Sequence, residues 1–190
     1  VSCDGTEAVY RVWNGTSWSA TSSISLVITG NCEWIRLASD PSTDEIVMVV
    51  RNDITGGVDY QALVWNGSSW GNSVFFGSQA TANDEGMAVE YEESGAEAVV
   101  VVANGANASF LYGRWNGSGW VGSTTVTIGN DLGGARLARD DGTDRLALCY
   151  VDIDSDIGFV EWSGSGWNGF QEFEAQANTV NGFNARPVPC

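Results

Sequence analysis

Trp65-Asn66-Gly67-Ser68-Ser69-Trp70 is the stretch whose reading decides the fold. It recurs as Trp13-Asn14-Gly15-Thr16-Ser17-Trp18, as Trp115-Asn116-Gly117-Ser118-Gly119-Trp120 and, with Ser for Asn, as Trp162-Ser163-Gly164-Ser165-Gly166-Trp167. The first tryptophans stand at positions 13, 65, 115 and 162, a period of about fifty residues that marks a repeat architecture. Asn-Gly between apolar residues is a strong short-range hairpin signal, because both residues tolerate the positive φ of a type I′ turn. A four-residue loop makes the two indoles direct cross-strand partners. A two-residue turn makes them diagonal on the same face. Both geometries bring the rings into contact.

Outward from the hairpin, each repeat carries a second shared feature. Trp34 to Val50 reads as strand, polar turn and strand, and Gly134 to Leu148 and Gly86 to Val100 repeat it. A second loop and a strand into the Trp hairpin follow, then a strand out. The first unit has expected strands near 34–39, 45–51, 58–65 and 69–76. The second has them near 86–91, 97–103, 108–115 and 119–127. The third has them near 134–139, 144–151, 157–162 and 166–173. A four-stranded antiparallel meander, repeated, is the blade of a β-propeller. Continuous apolar runs such as Ile46 to Val50 and Val99 to Ala103 fit blades covered on both faces.

The expected fold is all-β: one four-bladed propeller domain over 1–190, with blades at approximately 32–83, 84–131 and 132–181 and a fourth combining 182–190 with 1–31. In that composite blade of about three strands, Gly182 to Val188 copies a first strand and Asp4 to Tyr10 copies the turn and strand after it. The overlap places Cys190 beside Cys3 and predicts a disulfide between them. The rival is that the same two cysteines link one subunit to the next. Cys32 and Cys149 would then pair across opposed blades or remain thiols.

The period, the four-strand unit and the hairpin together resemble the broad β-propeller superfamily, and the Trp-Asn-Gly-Ser-Ser-Trp hairpin is similar to that of kelch-like repeats in secreted microbial proteins. The kelch Gly-Gly doublet with its spaced Tyr and Trp, the WD-repeat signature and the sialidase Asp-box are absent. The resemblance therefore implies an architecture and carries no functional residues with it.

Charge and composition narrow the functions. The chain has 24 acids, eight cations that are all Arg, no His and no Lys, for a net charge of −16. Such a surface repels nucleic acid and anionic membranes. No apolar run approaches the roughly 20 residues of a membrane helix. Beginning at Val1 without Met, the chain reads as trimmed of any targeting segment. Four Cys without a CxxC motif fit an oxidising compartment, so an extracellular or cell-surface location is expected. Without His or Lys, a triad, a neutral-pH His base and a Schiff base are ruled out, and a non-enzyme is expected. A carboxylate-based glycoside hydrolase is the residual enzymatic reading.

The candidate sites follow from repetition. Trp13, Trp18, Trp65, Trp70, Trp115, Trp120, Trp162 and Trp167 are either packing groups between blades, the default for large aromatics, or platforms on which sugars stack. Arg36, Arg136 and Arg186 recur in innermost strands and would line a channel, binding an anion or pairing with the acids that follow the first turn (Asp44, Glu97, Asp144). Asp152, Asp154 and Asp156 alternate as in calcium loops, yet lack the downstream Gly and Glu of an EF-hand, and an acidic solvated loop is the competing reading. Calcium is the one cofactor considered. Asn14, Asn66, Asn107 and Asn116 head glycosylation sequons. Two functions compete. One is a structural or adhesive subunit of an extracellular assembly, such as a filament, with itself or other extracellular proteins as partners. The alternative is a lectin binding glycans through blade tryptophans.

Overall fold

The computed structural model describes residues 1–55, 57–79, 85–93, 97–105, 108–154 and 156–174. Those residues form only strands and connections. The first sheet has strands β1 (Ser2–Asp4), β2 (Glu7–Tyr10) and β3 (Ser22–Ile24). The second has β4 (Asn31–Ser39), β5 (Glu45–Ile54), β6 (Gly57–Asn66) and β7 (Trp70–Gln79). The third has β8 (Met87–Tyr91), β9 (Ala98–Ala103), β10 (Ser109–Trp115) and β11 (Trp120–Thr127). The fourth has β12 (Leu132–Arg139), β13 (Leu146–Asp152), β14 (Ile157–Trp162) and β15 (Trp167–Glu174). Every sheet is an antiparallel meander in chain order. The fold is a β-propeller, with β4 against β1, β8 against β4 and β12 against β8.

Burial explains the sequence pattern. Val47 and Val49 of the second sheet point to the third, while Met48, Val50 and Leu63 point to the first, and all five are buried. A strand enclosed on both faces needs apolar side chains at successive positions rather than alternate ones. One core lies among the second, third and fourth sheets, and a smaller one, with Ala8, Ile24 and Ile28, lies between the first and second.

The hairpins use the four-residue loop. Trp13–Trp18, Trp65–Trp70, Trp115–Trp120 and Trp162–Trp167 are direct cross-strand partners. Gly takes positive φ in each loop, from 79° to 96°. Asn does not, which corrects the expected type I′ role. Its side chain is the reason for its presence. Asn66 Oδ1 accepts the amides of Ser68 and Ser69, each at 3.0 Å, and Asn14 and Asn116 do the same in their loops. Ser163 cannot reach so far. It donates its hydroxyl to the Gly166 carbonyl instead, at 2.9 Å.

The first sheet corrects the expected disulfide. By sequence Asp4 to Tyr10 copies a first turn and second strand, but β2 leads directly into the Trp13 hairpin, as β6 leads into that of Trp65. β2 thus holds the third-strand position and β1 the second. The expected first-strand contribution from 182–188 lies outside the described residues, as does Cys190. Cys3 is bonded to Cys32, with Cα atoms 5.3 Å apart, and so to neither Cys190 nor a neighbouring subunit. The cause is local packing. The Cys32 amide donates to the Gly5 carbonyl at 2.9 Å, which lays the start of β4 along the β1–β2 turn. This also overturns a Cys32–Cys149 pair. Cys149 is disulfide-bonded as well.

A non-reducing peptide map is expected to recover Cys3 joined to Cys32. For a loop of this size the chain-entropy model gives roughly 3–4 kcal/mol, so Cys3→Ser should lower the unfolding free energy in guanidinium titrations by up to that amount.

Candidate inter-blade sites

The indole pairs of the four hairpins have ring centroids 5.4–5.7 Å apart, but very different surroundings. Trp115 and Trp162 are 2% and 0% exposed, while Trp13 and Trp18 are 50% and 61% exposed. The buried ones are packing groups that tie each sheet to the one before it. Trp115 Nε1 donates across to Glu45 Oε1 at 2.6 Å, and the Tyr91 hydroxyl donates to the same oxygen at 2.9 Å. Trp162 Nε1 donates to Glu92 Oε1 in the third sheet. Trp120 Nε1 donates to the Asn72 carbonyl at 2.5 Å.

Two tyrosines that sequence reasoning overlooked complete this pattern. Tyr10 and Tyr112 each lie three residues before the first Trp of their hairpin. Tyr10 packs edge-on against Trp65 and Trp70 of the following sheet, at 5.5 and 6.4 Å. Tyr112 meets Trp162 and Trp167 at 5.6 and 5.8 Å. The shared offset from Trp was the available signal. In addition, Arg114 pairs with Glu97 at 2.7 Å and lays its guanidinium 5.6 Å from the Trp162 ring centre, a cation–π contact.

The charged candidates are engaged by the protein. Arg36 and Arg136 both bridge to Glu85 just before β8, Arg136 at 3.2 Å. They pair, but not with the acids after the first turn, of which Glu97 is taken by Arg114. Arg186 lies outside the described residues. Burial, opposed by the hydrogen bond to the Tyr91 amide and the charge of Arg139, raises the Glu90 carboxyl above its ordinary value. Asp152 Oδ1 caps the amides of Asp154 and Asp156, each at 2.9 Å, and Asp154 Oδ2 accepts from Asn130 Nδ2 at 2.7 Å. Asp152 therefore serves its own loop, and Asp154 ties that loop to Asn130. Among the described residues no cluster of three metal-ligating side chains forms. Asn14, Asn66 and Asn116 are exposed at hairpin tips, and Asn107 lies outside the described residues.

Two clefts have the chemistry of a ligand site. One, of about 270 Å³, opens between the first and second sheets, where Tyr10, Ser23 and Ser25 face Trp70, Asn72 and Ser73. It offers aromatic walls with hydroxyl and amide groups at the rim. The other, of about 350 Å³, lies on the first sheet, with Arg11, Trp18 and Thr21 in its lining. Arg11 Nε donates to Thr21 Oγ1 at 2.9 Å. Asn72 has φ of 44°, a left-handed conformation. Trp70-Gly71-Asn72 places the amide beside the indole through a backbone irregularity that its sequence did not announce.

No protein-family model and no curated sequence matches the chain. Solved structures do. A variant of the lectin of Aleuria aurantia, in complex with α-methyl-L-fucoside, superposes with a TM-score of 0.58 at 14% identity, over 87% of this chain and 53% of that one. Another structure of the Aleuria aurantia lectin, described as a six-bladed β-propeller with a novel fucose recognition mode, gives 0.56 at 15% identity over the same shares. The SapL1 lectin with α-methyl fucoside gives 0.50 at 12% identity, over 92% and 65%. The chain thus spans about half the length of the Aleuria aurantia lectin. These similarities establish the propeller fold.

Glu45→Ala should leave the Trp115 and Tyr91 donors unpaired in the core. A loss of about 1–3 kcal/mol per unsatisfied group is expected in chemical denaturation. Glu92 supplies a pH test. Burial, with the nearby charges of Glu97 and Asp144 and against the Trp162 hydrogen bond, pushes its carboxyl up from 4.5 to about 7. The folded state therefore holds this proton more tightly than the unfolded state. Its contribution to stability is full below pH 4.5, declines towards about pH 7 and is absent above it. Glu92→Gln keeps an acceptor for Trp162, so its melting temperature should lack that part of the decline.

Proposed function

We propose that this protein is a carbohydrate-binding propeller whose sugar site is the cleft between the first and second sheets. The observation that carries the reading is the pairing of Tyr10 and Trp70 with Ser23, Ser25, Asn72 and Ser73 around one opening. Sugars present an apolar C–H face to an aromatic ring and hydroxyls to amide and hydroxyl groups, and pockets that combine apolar walls with a few placed polar groups bind them. The likeness to fucose-binding lectins supports the class and makes a fucoside the first probe. Of the eight hairpin tryptophans proposed as platforms, the buried Trp115 and Trp162 are excluded by their packing, so binding falls to rings that remain open. The reading places the protein outside the cell, where its disulfides are maintained. The competing subunit reading drew on a Cys3 link between chains, which the Cys3–Cys32 bond removes.

Titrating the protein with α-methyl fucoside and a panel of other methyl glycosides, followed by calorimetry, tests this. At least one glycoside is expected to bind, and Asn72→Gly, which keeps the left-handed backbone while deleting the amide, should weaken it tenfold or more. Full affinity in that variant, or no binding across the panel and a glycan array, overturns the proposal.

A further inference from the structure

The cleft between the first and second sheets does not stop at Tyr10 and Trp70. A second depression, of about 250 Å³, is lined by Thr6, Glu7, Leu26 and Ile28, and it shares Ser23, Ile24 and Ser25 with the first. The two therefore continue into each other along β3. Register sets the length of the joint groove. Tyr10 lies opposite Ser22 and Ala8 opposite Ile24, so Glu7 stands at the far end of β2 from Tyr10, three residues away. At the rise of a strand that separation is roughly 10 Å, too long for one sugar ring and suited to two joined by a glycosidic bond.

The two ends differ in chemistry. At the Tyr10 end, aromatic rings stand beside uncharged polar groups, Asn72 and Ser73 among them. At the Glu7 end, a carboxylate stands beside the apolar side chains of Leu26 and Ile28, which belong to the small core between the sheets. The residues common to both depressions connect the two ends, because Ser23 Oγ donates to Glu7 Oε2 at 2.7 Å. That bond fixes one carboxylate oxygen, and the other has lone pairs for a ligand. A carboxylate only accepts hydrogen bonds, so it selects hydroxyl donors, and such bonds are stronger than those between neutral groups. It also repels anionic substituents, as does the net charge of −16.

We infer that this groove takes an oligosaccharide of neutral sugars, with one ring against Tyr10 and Trp70 and the next donating its hydroxyls to Glu7. This rests on the carbohydrate reading of the cleft and adds the length of the ligand, its neutrality and the residue that senses both. A second ring carrying a sulfate or a carboxylate is refused, because its charge meets that of Glu7. Glu7 and Ser23 are both exposed, so substituting Glu7 leaves the fold intact.

Calorimetry on the 190-residue protein with three kinds of ligand tests this. They are the tightest-binding methyl glycoside, methyl disaccharides that link the same sugar to a neutral hexose in α or β configuration, and the same disaccharides sulfated on the hexose. A neutral disaccharide should bind at least tenfold more tightly than the methyl glycoside, and sulfation should remove that gain. Glu7→Ala should bring the neutral disaccharide and the methyl glycoside to the same affinity, whereas Asn72→Gly should weaken both. A methyl glycoside that binds with no gain from any disaccharide overturns the extension and leaves a site for a single sugar. So does a full gain in the sulfated ligand or in Glu7→Ala. No binding by any ligand of the three kinds overturns the carbohydrate reading itself, and the extension with it.

Discussion

The indole N–H that crosses from one sheet to a carboxylate of the sheet before it is the contact on which the rest of the array depends. Trp115 on Glu45 and Trp162 on Glu92 each fix the distance and rotation between neighbouring sheets at the outer end of the blade. A buried carboxylate is costly unless its lone pairs are satisfied, and here the donors are rigid rings already paired across a hairpin. The contact is therefore selective. An indole displaced by one register would leave both the acid and its own N–H unpaired in an apolar setting. Tyr91 and Arg114 add donors and charge to the same two seats.

Among the described residues the first sheet has no such contact, and its hairpin indoles are exposed. Its inner side is anchored by the Cys3–Cys32 bond and by Tyr10 against the next Trp pair. Its outer side keeps Trp13 and Trp18 in much the same inclined ring contact as the other copies, but in solvent. The hairpin thus holds its shape by its own loop, and burial comes from the neighbour. Packing and ligand contact are in this sense alternatives for one structural element. Copies enclosed between sheets hold the array together, and those bordering a cleft keep part of a ring uncovered.

Much of the architecture was legible along the chain. The fifty-residue period, the four-stranded meander and the strand limits around Ile46, Val99 and Leu146 are local or repeated, and repetition amplifies a weak signal. The candidate site was only half legible. The tryptophans announce themselves, whereas Tyr10, Ser23 and Asn72 reach the cleft from three different strands or bulges, and nothing in their own neighbourhoods marks them. The arginines were placed in inner strands by pattern, but their partner, Glu85, belongs to a connection that the repeat does not cover.

The sequence by itself determined the elements: which residues form strands, where the hairpins turn and that each turn carries a Trp pair. These depend on side-chain period and on backbone preferences acting over a few residues. Tertiary structure alone decided the partners. Cys3 could have met Cys190, Cys32 or another chain, and only the course of β4 along the β1–β2 turn made Cys32 the neighbour. Near-identical hairpins likewise became buried or open because burial depends on which sheet stands alongside, and a repeated motif does not record its neighbours.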